Sequence, residues 1–248
     1  NKIDFELTLD QLNSISEINK DLKSSQKMFR LLQGDVGSGK TIVALISCLN
    51  VVNSGFQVSF MAPTEILAKQ HYNLAKKIFP KQIRIEFISG KSEYKKNKII
   101  NDKISSHKID IIFGTHAIFQ KKVKFKKLGL IIIDEQHKFG VNQRKRLSDK
   151  GGDNCDVLLM TATPIPRTLT MTIYGDMDLS IIYEKPKNRK PVKTYSKLEN
   201  KIDEIIKFIK KEINLGNQIF WVCPLIEESK KIDNTSAIQK FFFLKKFF

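Results

Sequence analysis

Short runs dominated by apolar residues recur along the chain, at Phe29–Leu32, Val58–Ala62, Ile83–Ile88, Ile109–Phe113, Leu130–Ile133 and Val157–Met160, with amphipathic stretches between several of them. Strand-like runs alternating with helical patterns predict βαβ units and a parallel sheet. Ile131-Ile132-Ile133 and Val157-Leu158-Leu159-Met160 contain no polar position. That is the pattern of strands covered on both faces, as in a doubly wound α/β fold. In such a fold ligands bind outside the carboxyl ends of the strands. Polar clusters fall there repeatedly: Gly34 to Thr41, Pro63-Thr64-Glu65, Gly114-Thr115-His116, Asp134-Glu135-Gln136-His137 and Thr161-Ala162-Thr163. One edge of the sheet is expected to collect the chemistry.

After Tyr183 the pattern changes to Glu-Lys-Pro-Lys-Asn-Arg-Lys-Pro, a charged, proline-bounded stretch that reads as a linker. Beyond it, Lys193–Lys197 reads as a strand, Glu199–Leu215 as a helix stopped by Gly216, and Gln218–Cys223 as another strand, with a helical pattern running on through Phe241–Phe248. The division that follows is a first domain over residues 1–185, a linker over 186–192, and an incomplete second α/β domain over 193–248. About 60 residues bury only a marginal core. The chain also starts at Asn1 rather than Met, and is expected to be a fragment.

The sharpest local signal is Gly34-Asp35-Val36-Gly37-Ser38-Gly39-Lys40-Thr41, which follows an apolar run and precedes a helical pattern. Glycines let consecutive backbone N–H groups face an anion, and a helix N-terminus adds the positive end of its dipole. Lys40 is placed to neutralise β/γ-phosphate charge, and the Thr41 hydroxyl to ligate Mg²⁺. The cofactors expected are therefore ATP and Mg²⁺. Asp134 and Glu135 follow the apolar run Leu130–Ile133. Asp134 would hold Mg²⁺, directly or through water, while Glu135 polarises the water that attacks the γ-phosphate. An acidic turn at a strand end is the plain structural alternative. The phosphate loop on the same predicted sheet edge favours hydrolysis.

Charge widens the picture less than it first suggests. A formal net charge of +17 points towards a polyanionic partner. Yet only six of the 43 basic residues are arginine, and abundant Lys, Asn, Ile and Phe also fit a coding bias that spreads lysine over every solvated face. Charge alone leaves both readings open. No stretch reaches the roughly 20 apolar residues of a membrane span, and Asn1 to Asp10 lacks the apolar core of a signal peptide. A soluble, cytoplasmic chain with no membrane partner is expected. Cys48, Cys155 and Cys223 have no metal-ligand spacing, and their odd number argues against a disulfide framework.

Asp134-Glu135-Gln136-His137, taken with Thr161-Ala-Thr-Pro-Ile-Pro-Arg-Thr168, resembles the superfamily 2 helicases. Within that superfamily, Gly34–Thr41, Gly114-Thr-His-Ala117, Asp134–Val141 and Val222–Ser229 stand in the order and spacing of the RecG family, over essentially the whole chain. Transcription-repair coupling translocases share the Thr161–Thr168 run but typically carry Glu-Gln where Gln136-His137 stand here. Lys138 replaces the family's usual arginine, keeping charge but losing a bidentate donor.

The resemblance implies a P-loop, RecA-like motor domain with Lys40, Asp134, Glu135, Gln136 and His137 in the catalytic group. It places Phe5, Thr8 and Gln11 in an adenine-reading motif, where an amide pairs with both a donor and an acceptor. Read without the family, Gln11 is an exposed polar residue on the first helix. Thr161, Ala162 and Thr163 would couple the ATP site to a DNA site, with Gln136 and His137 as neighbours in the relay. Pro63, Thr64, Gly114, Thr115 and His116 fall where such helicases contact the DNA backbone, although Thr64 and Thr115 also read as helix caps. The implied partner is branched or forked duplex DNA, engaged by a monomer. Phosphate contacts do not read the sugar, so DNA rather than RNA enters through the resemblance. The family's arginine finger belongs to a later part of a second domain than Ser229, and Arg167, in the first domain, is not a candidate. A coupling translocase and a binding-only module stay open as alternatives.

Overall fold

The computed structural model of the chain describes residues 6–89, 94–119, 123–135, 155–163, 177–185, 192–223 and 236–248. Two compact units are present, Asn1–Arg189 and Lys190–Phe248. In the first, seven strands alternate with helices: α1 (Leu9–Leu22), β1 (Phe29–Gly34), α2 (Lys40–Asn53), β2 (Gln57–Met61), α3 (Glu65–Ile78), β3 (Ile85–Ile88), α4 (Tyr94–Ser105), β4 (Ile111–Gly114), β5 (Leu128–Ile133), β6 (Asp156–Thr161) and β7 (Asp178–Ile182). The strands form one parallel sheet in the order β3-β4-β2-β5-β6-β1-β7.

Strand side chains alternate between the two faces, and both faces here are dry. Leu130, Ile132, Leu158 and Met160 pack with Val43, Leu45, Cys48 and Ala75 of α2 and α3. Their neighbours Ile131, Ile133, Val157 and Leu159 pack on the other face with Ile100 and Ile104 of α4. This two-sided burial is the physical origin of the unbroken apolar runs, and each such side chain contributes about 1.5–3 kcal/mol on leaving water. Register is set at the centre, where Phe60 of β2 lies opposite Ile132 of β5 and Phe113 of β4. The Phe60 and Phe113 rings stack at 5.2 Å between centroids.

β7 has no counterpart among the predicted strands. It is short and half-exposed, and its inward position Ser180 is polar, so periodicity has little to report. Ser180 is buried because Arg30 of β1 donates to its hydroxyl at 2.9 Å while also donating to Asp21 at 2.7 Å. A polar network beside the buried Ile182 fixes this edge.

In the second unit the predicted helix is present as a 3₁₀ turn at Glu199–Lys201 leading into α5 (Ile202–Asn214). Gly216 follows at φ +81°, a left-handed helix stop, as its position predicted. The two predicted strands are corrected. Residues 192–198 and 217–223 are irregular, and Tyr195, Phe220 and Val222 are exposed. A β-prone run becomes a strand only when a neighbour takes its backbone hydrogen bonds and covers one face, and no described residue does so here. The terminal aromatic run is helical only as α6 (Ala237–Leu244), entered through a Ser236/Gln239 capping box. Cys48 and Cys155 are buried free thiols, whereas Cys223 is half-buried. Among the described residues no helix is long and apolar enough to cross a membrane.

Candidate active site

β1 ends at Gly34, and the chain turns through Gly37 (φ +74°) and Gly39 (φ +94°) into α2. Gly39 is the N-cap, and no side chain caps the helix, so the first-turn N–H groups of α2 keep their outward direction. Gly34 is required by contact, and Gly39 by contact as well as by backbone. A Cβ on Gly34 would stand 2.6 Å from Ser38 Oγ and 3.0 Å from the Ile182 carbonyl oxygen. A Cβ on Gly39 would stand 2.2 Å from Gln11 Nε2. Lys40 Nζ donates to the Gly34 and Asp35 carbonyl oxygens at 2.6 and 3.0 Å, bracing the loop from within. Val36 N donates to Asp35 Oδ1 at 2.7 Å, and Asp35 pairs with Lys185 at 2.8 Å. Ser38 is fully buried and its hydroxyl has no hydrogen-bond partner. Thr41 is half-buried in the first turn of α2.

Gln11 is 2% exposed rather than on the surface. Its Oε1 accepts from Thr8 N at 3.0 Å in the capping box of α1, and its Nε2 donates to the Ser38 carbonyl at 2.7 Å. One end of the amide thus closes the cap of α1, and the other ties α1 to the loop. Phe5 lies outside the described residues.

Asp134 leaves the tip of β5 with its N–H donated to the Met61 carbonyl at 2.9 Å, and it is 8% exposed. One carboxylate oxygen, Oδ1, accepts from Glu135 N at 3.0 Å, and the other lies 2.7 Å from His71 Nε2 of α3. Glu135 stands at φ +51°, a left-handed conformation that costs a non-glycine residue of order 1–3 kcal/mol. At the tip of the adjacent strand, Thr161 is fully buried and its Oγ1 lies 2.8 Å from Thr163 Oγ1, with Ala162 half-buried between them. Gln136 and His137 lie outside the described residues.

The other predicted positions follow β2 and β4. Pro63 is half-buried, and Thr64 caps α3 by accepting from Leu67 N at 3.3 Å. Gly114 closes β4 so tightly that a Cβ would meet the Ile88 carbonyl at 2.6 Å. Thr115 is half-buried, its carbonyl accepting from Ile118 N at 3.1 Å, and His116 is exposed at the start of a 3₁₀ turn. No group of three His, Cys, Asp or Glu side chains suited to a metal occurs among the described residues. Mg²⁺ needs no such cluster, because one hydroxyl, one carboxylate and water or phosphate oxygens satisfy it, and Thr41 and Asp134 are the hard-oxygen groups that could contribute.

His71 is a residue that the sequence reading passed over. Its signal was a lone polar side chain within the buried Ala68/His71/Ala75 stripe of α3. A polar group in such a stripe needs a partner. A cleft of about 660 Å³ lies elsewhere, at the amino-terminal edge of the sheet, lined by residues including Lys27, Asn50, Phe56 and Asp156.

The DEAD/DEAH box helicase family model matches residues 8–172. ATP-dependent DNA helicase RecG of Bacillus subtilis is 46% identical over 245 residues, covering 98% of this chain and 36% of the relative. RecG of Borreliella burgdorferi is 48% identical over 230 residues, covering 92% of this chain and 33% of the relative. The chain therefore spans about a third of the length of these relatives. The structure of RecG bound to a three-way DNA junction matches with a TM-score of 0.82 at 37% identity, covering 99% of this chain and 32% of that one. The DEAD-box helicase Mss116 bound to single-stranded RNA shares the fold, with a TM-score of 0.60 at 21% identity over 85% of this chain and 48% of that one. The chain belongs to the DEAD/DEAH box helicase family, and RecG helicases are the relatives it resembles over nearly its whole length.

Proposed function

We propose that this chain is the ATP-hydrolysing motor portion of a DNA helicase that remodels forks and junctions in recombination and repair, working as a monomer in the cytoplasm. One observation carries the reading. The Gly34–Thr41 loop, the Asp134-Glu135 pair and the Thr161–Thr163 turn follow β1, β5 and β6, and these strands lie side by side as β5-β6-β1. Their carboxyl ends bring phosphate-binding, acidic and hydroxyl groups to one place. The likeness to RecG helicases, one of them solved with a three-way DNA junction, supports branched DNA as the partner.

In this reading the loop N–H groups and the first turn of α2 face the phosphates, with Lys40 released from the loop carbonyls to neutralise charge. Ser38 supplies a buried hydroxyl at the loop. Thr41 and Asp134 would hold Mg²⁺, which would balance developing phosphate charge. Glu135 accepts a proton from water as the water oxygen bonds to the γ-phosphorus. The bond to the β–γ bridging oxygen breaks, leaving ADP and phosphate. Thr8 and Gln11 form the adenine end, where the Gln11 amide, now bonded to Thr8 N and the Ser38 carbonyl, must exchange those partners for the base and so links base binding to the loop. Thr161, Ala162 and Thr163, with Gln136 and His137, relay the change to Pro63, Thr64, Gly114, Thr115 and His116 on the DNA side.

The test is phosphate release from ATP by the purified 248-residue chain, with and without forked DNA, beside Glu135→Gln. DNA-stimulated release that Glu135→Gln lacks is the expected result. Equal release by both proteins would overturn the catalytic assignment.

A further inference from the structure

His71 occupies the second turn of α3 on the face packed against the sheet, 8% exposed, with its ring 4.9 Å from that of Phe60. Burying an imidazole between alanines and a phenylalanine is unfavourable unless its ring nitrogens are bonded. A carboxylate only accepts, so the 2.7 Å contact has His71 Nε2–H donating to Asp134 Oδ2, which selects that tautomer. With Oδ1 accepting from Glu135 N at 3.0 Å, each oxygen of Asp134 has its own fixed donor. One donor comes from the strained turn and one from a rigid helix.

We propose that His71 is a positioning residue of the hydrolytic site, holding the Asp134 carboxylate in the orientation that receives Mg²⁺. The inference rests on the reading of Asp134 as the Mg²⁺ ligand. Hydrogen-bonded partners behind metal ligands set both their orientation and their affinity, and losing one costs about 10–100-fold in metal affinity. Nothing about His71 requires contact with nucleotide, so its loss should act through the metal requirement alone.

The experiment is Mg²⁺ titration of fluorescent ATP-analogue binding to the full chain as wild type, His71→Leu, His71→Asn and Asp134→Ala. His71→Leu fills the space without a donor, and is expected to raise the Mg²⁺ concentration for half-maximal binding about 10-fold or more. Its affinity for the analogue without Mg²⁺ should stay at the wild-type value, and His71→Asn should recover part of the loss. A His71→Leu protein with a lower melting temperature but an unchanged Mg²⁺ requirement would show a packing residue only, and would overturn the proposal. An unchanged requirement in Asp134→Ala would instead remove the underlying ligand assignment. Should His71→Leu not fold, ¹⁵N spectra of the wild-type imidazoles decide the matter. A His71 Nε2–H signal that moves on adding Mg²⁺ with the analogue is expected, and one that does not move refutes the role.

Discussion

The polar groups that matter most at the two edges of the central sheet differ in how fully they are bonded. At the amino-terminal edge Gln57, Asp110 and Asp156 are each hydrogen-bonded. Gln57, 1% exposed, donates to the Ile104 and Ile109 carbonyls at 2.9 and 2.8 Å and accepts from Lys126 N and Lys127 N at 2.9 and 3.1 Å. Asp156 accepts from Met28 N at 2.8 Å, and Asp110 accepts from Arg84 N at 2.8 Å and from its guanidinium. At the carboxyl-terminal edge, α2 begins without a side-chain cap, Glu135 stands in a left-handed conformation, and the Ser38 hydroxyl is buried without a partner. The Ser38 hydroxyl and the Glu135 backbone stand where a ligand would relieve them, whereas the other left-handed non-glycine residue among the described ones, His107, lies in the turn that enters β4 at the opposite edge.

The comparison breaks most directly at Glu135. Glu135→Gly relieves the backbone while removing the carboxylate, so phosphate release should fall by about 10²–10⁴-fold. Stability against urea should hold or rise by about 1 kcal/mol. A parallel loss of stability would mean that Glu135 belongs to the framework. Gln57→Ala is the converse. It strands two buried carbonyls and two N–H groups, which should cost about 3 kcal/mol in urea unfolding, with nucleotide affinity unaltered. A change in nucleotide affinity would show that the two edges are coupled.

Smaller effects sharpen the contrast. Thr64→Ala should cost about 1 kcal/mol through the lost cap of α3. If DNA affinity falls as well, the residue serves both roles, and if only stability falls, it is a cap alone. The smallest effect is a pH dependence. Burial pushes Asp110 upward, but its hydrogen bonds to Arg84 and the guanidinium charge outweigh this and hold its carboxyl below the usual range. The unfolded carboxyl titrates near pH ~3.9, so the stabilisation is fully present above that value and is lost as pH falls through the lower folded value. Urea midpoints of wild type and Arg84→Ala should therefore differ at neutral pH and converge in acid. A gap independent of pH would assign Arg84 to packing.

Much of the first unit was legible because its signals are local. The apolar runs of β2, β5 and β6 mark strands buried on both faces, and all five predicted polar clusters contain described residues at the strand ends, four of them throughout. β7 escaped because one of its two buried positions, Ser180, is polar and held by Arg30, which breaks the apolar period. The segments 193–197 and 218–223 carry β-prone residues without a described partner strand, and propensity alone misread them. Gln11 looked like a surface amide, since nothing in its immediate neighbourhood announces Ser38.

By itself, the sequence determined the loop from Gly34 to Thr41, the alternation of strands and helices, and the acidic pair at the tip of β5. Each is written in a few consecutive residues whose backbone freedom or apolarity has few alternative uses. Only the tertiary structure decided which strands are neighbours, that Gln11 braces the loop, and that His71 meets Asp134 across 63 positions of chain. Such contacts depend on the packing of whole elements, and a hydrogen bond between distant residues leaves no pattern in the order of the amino acids.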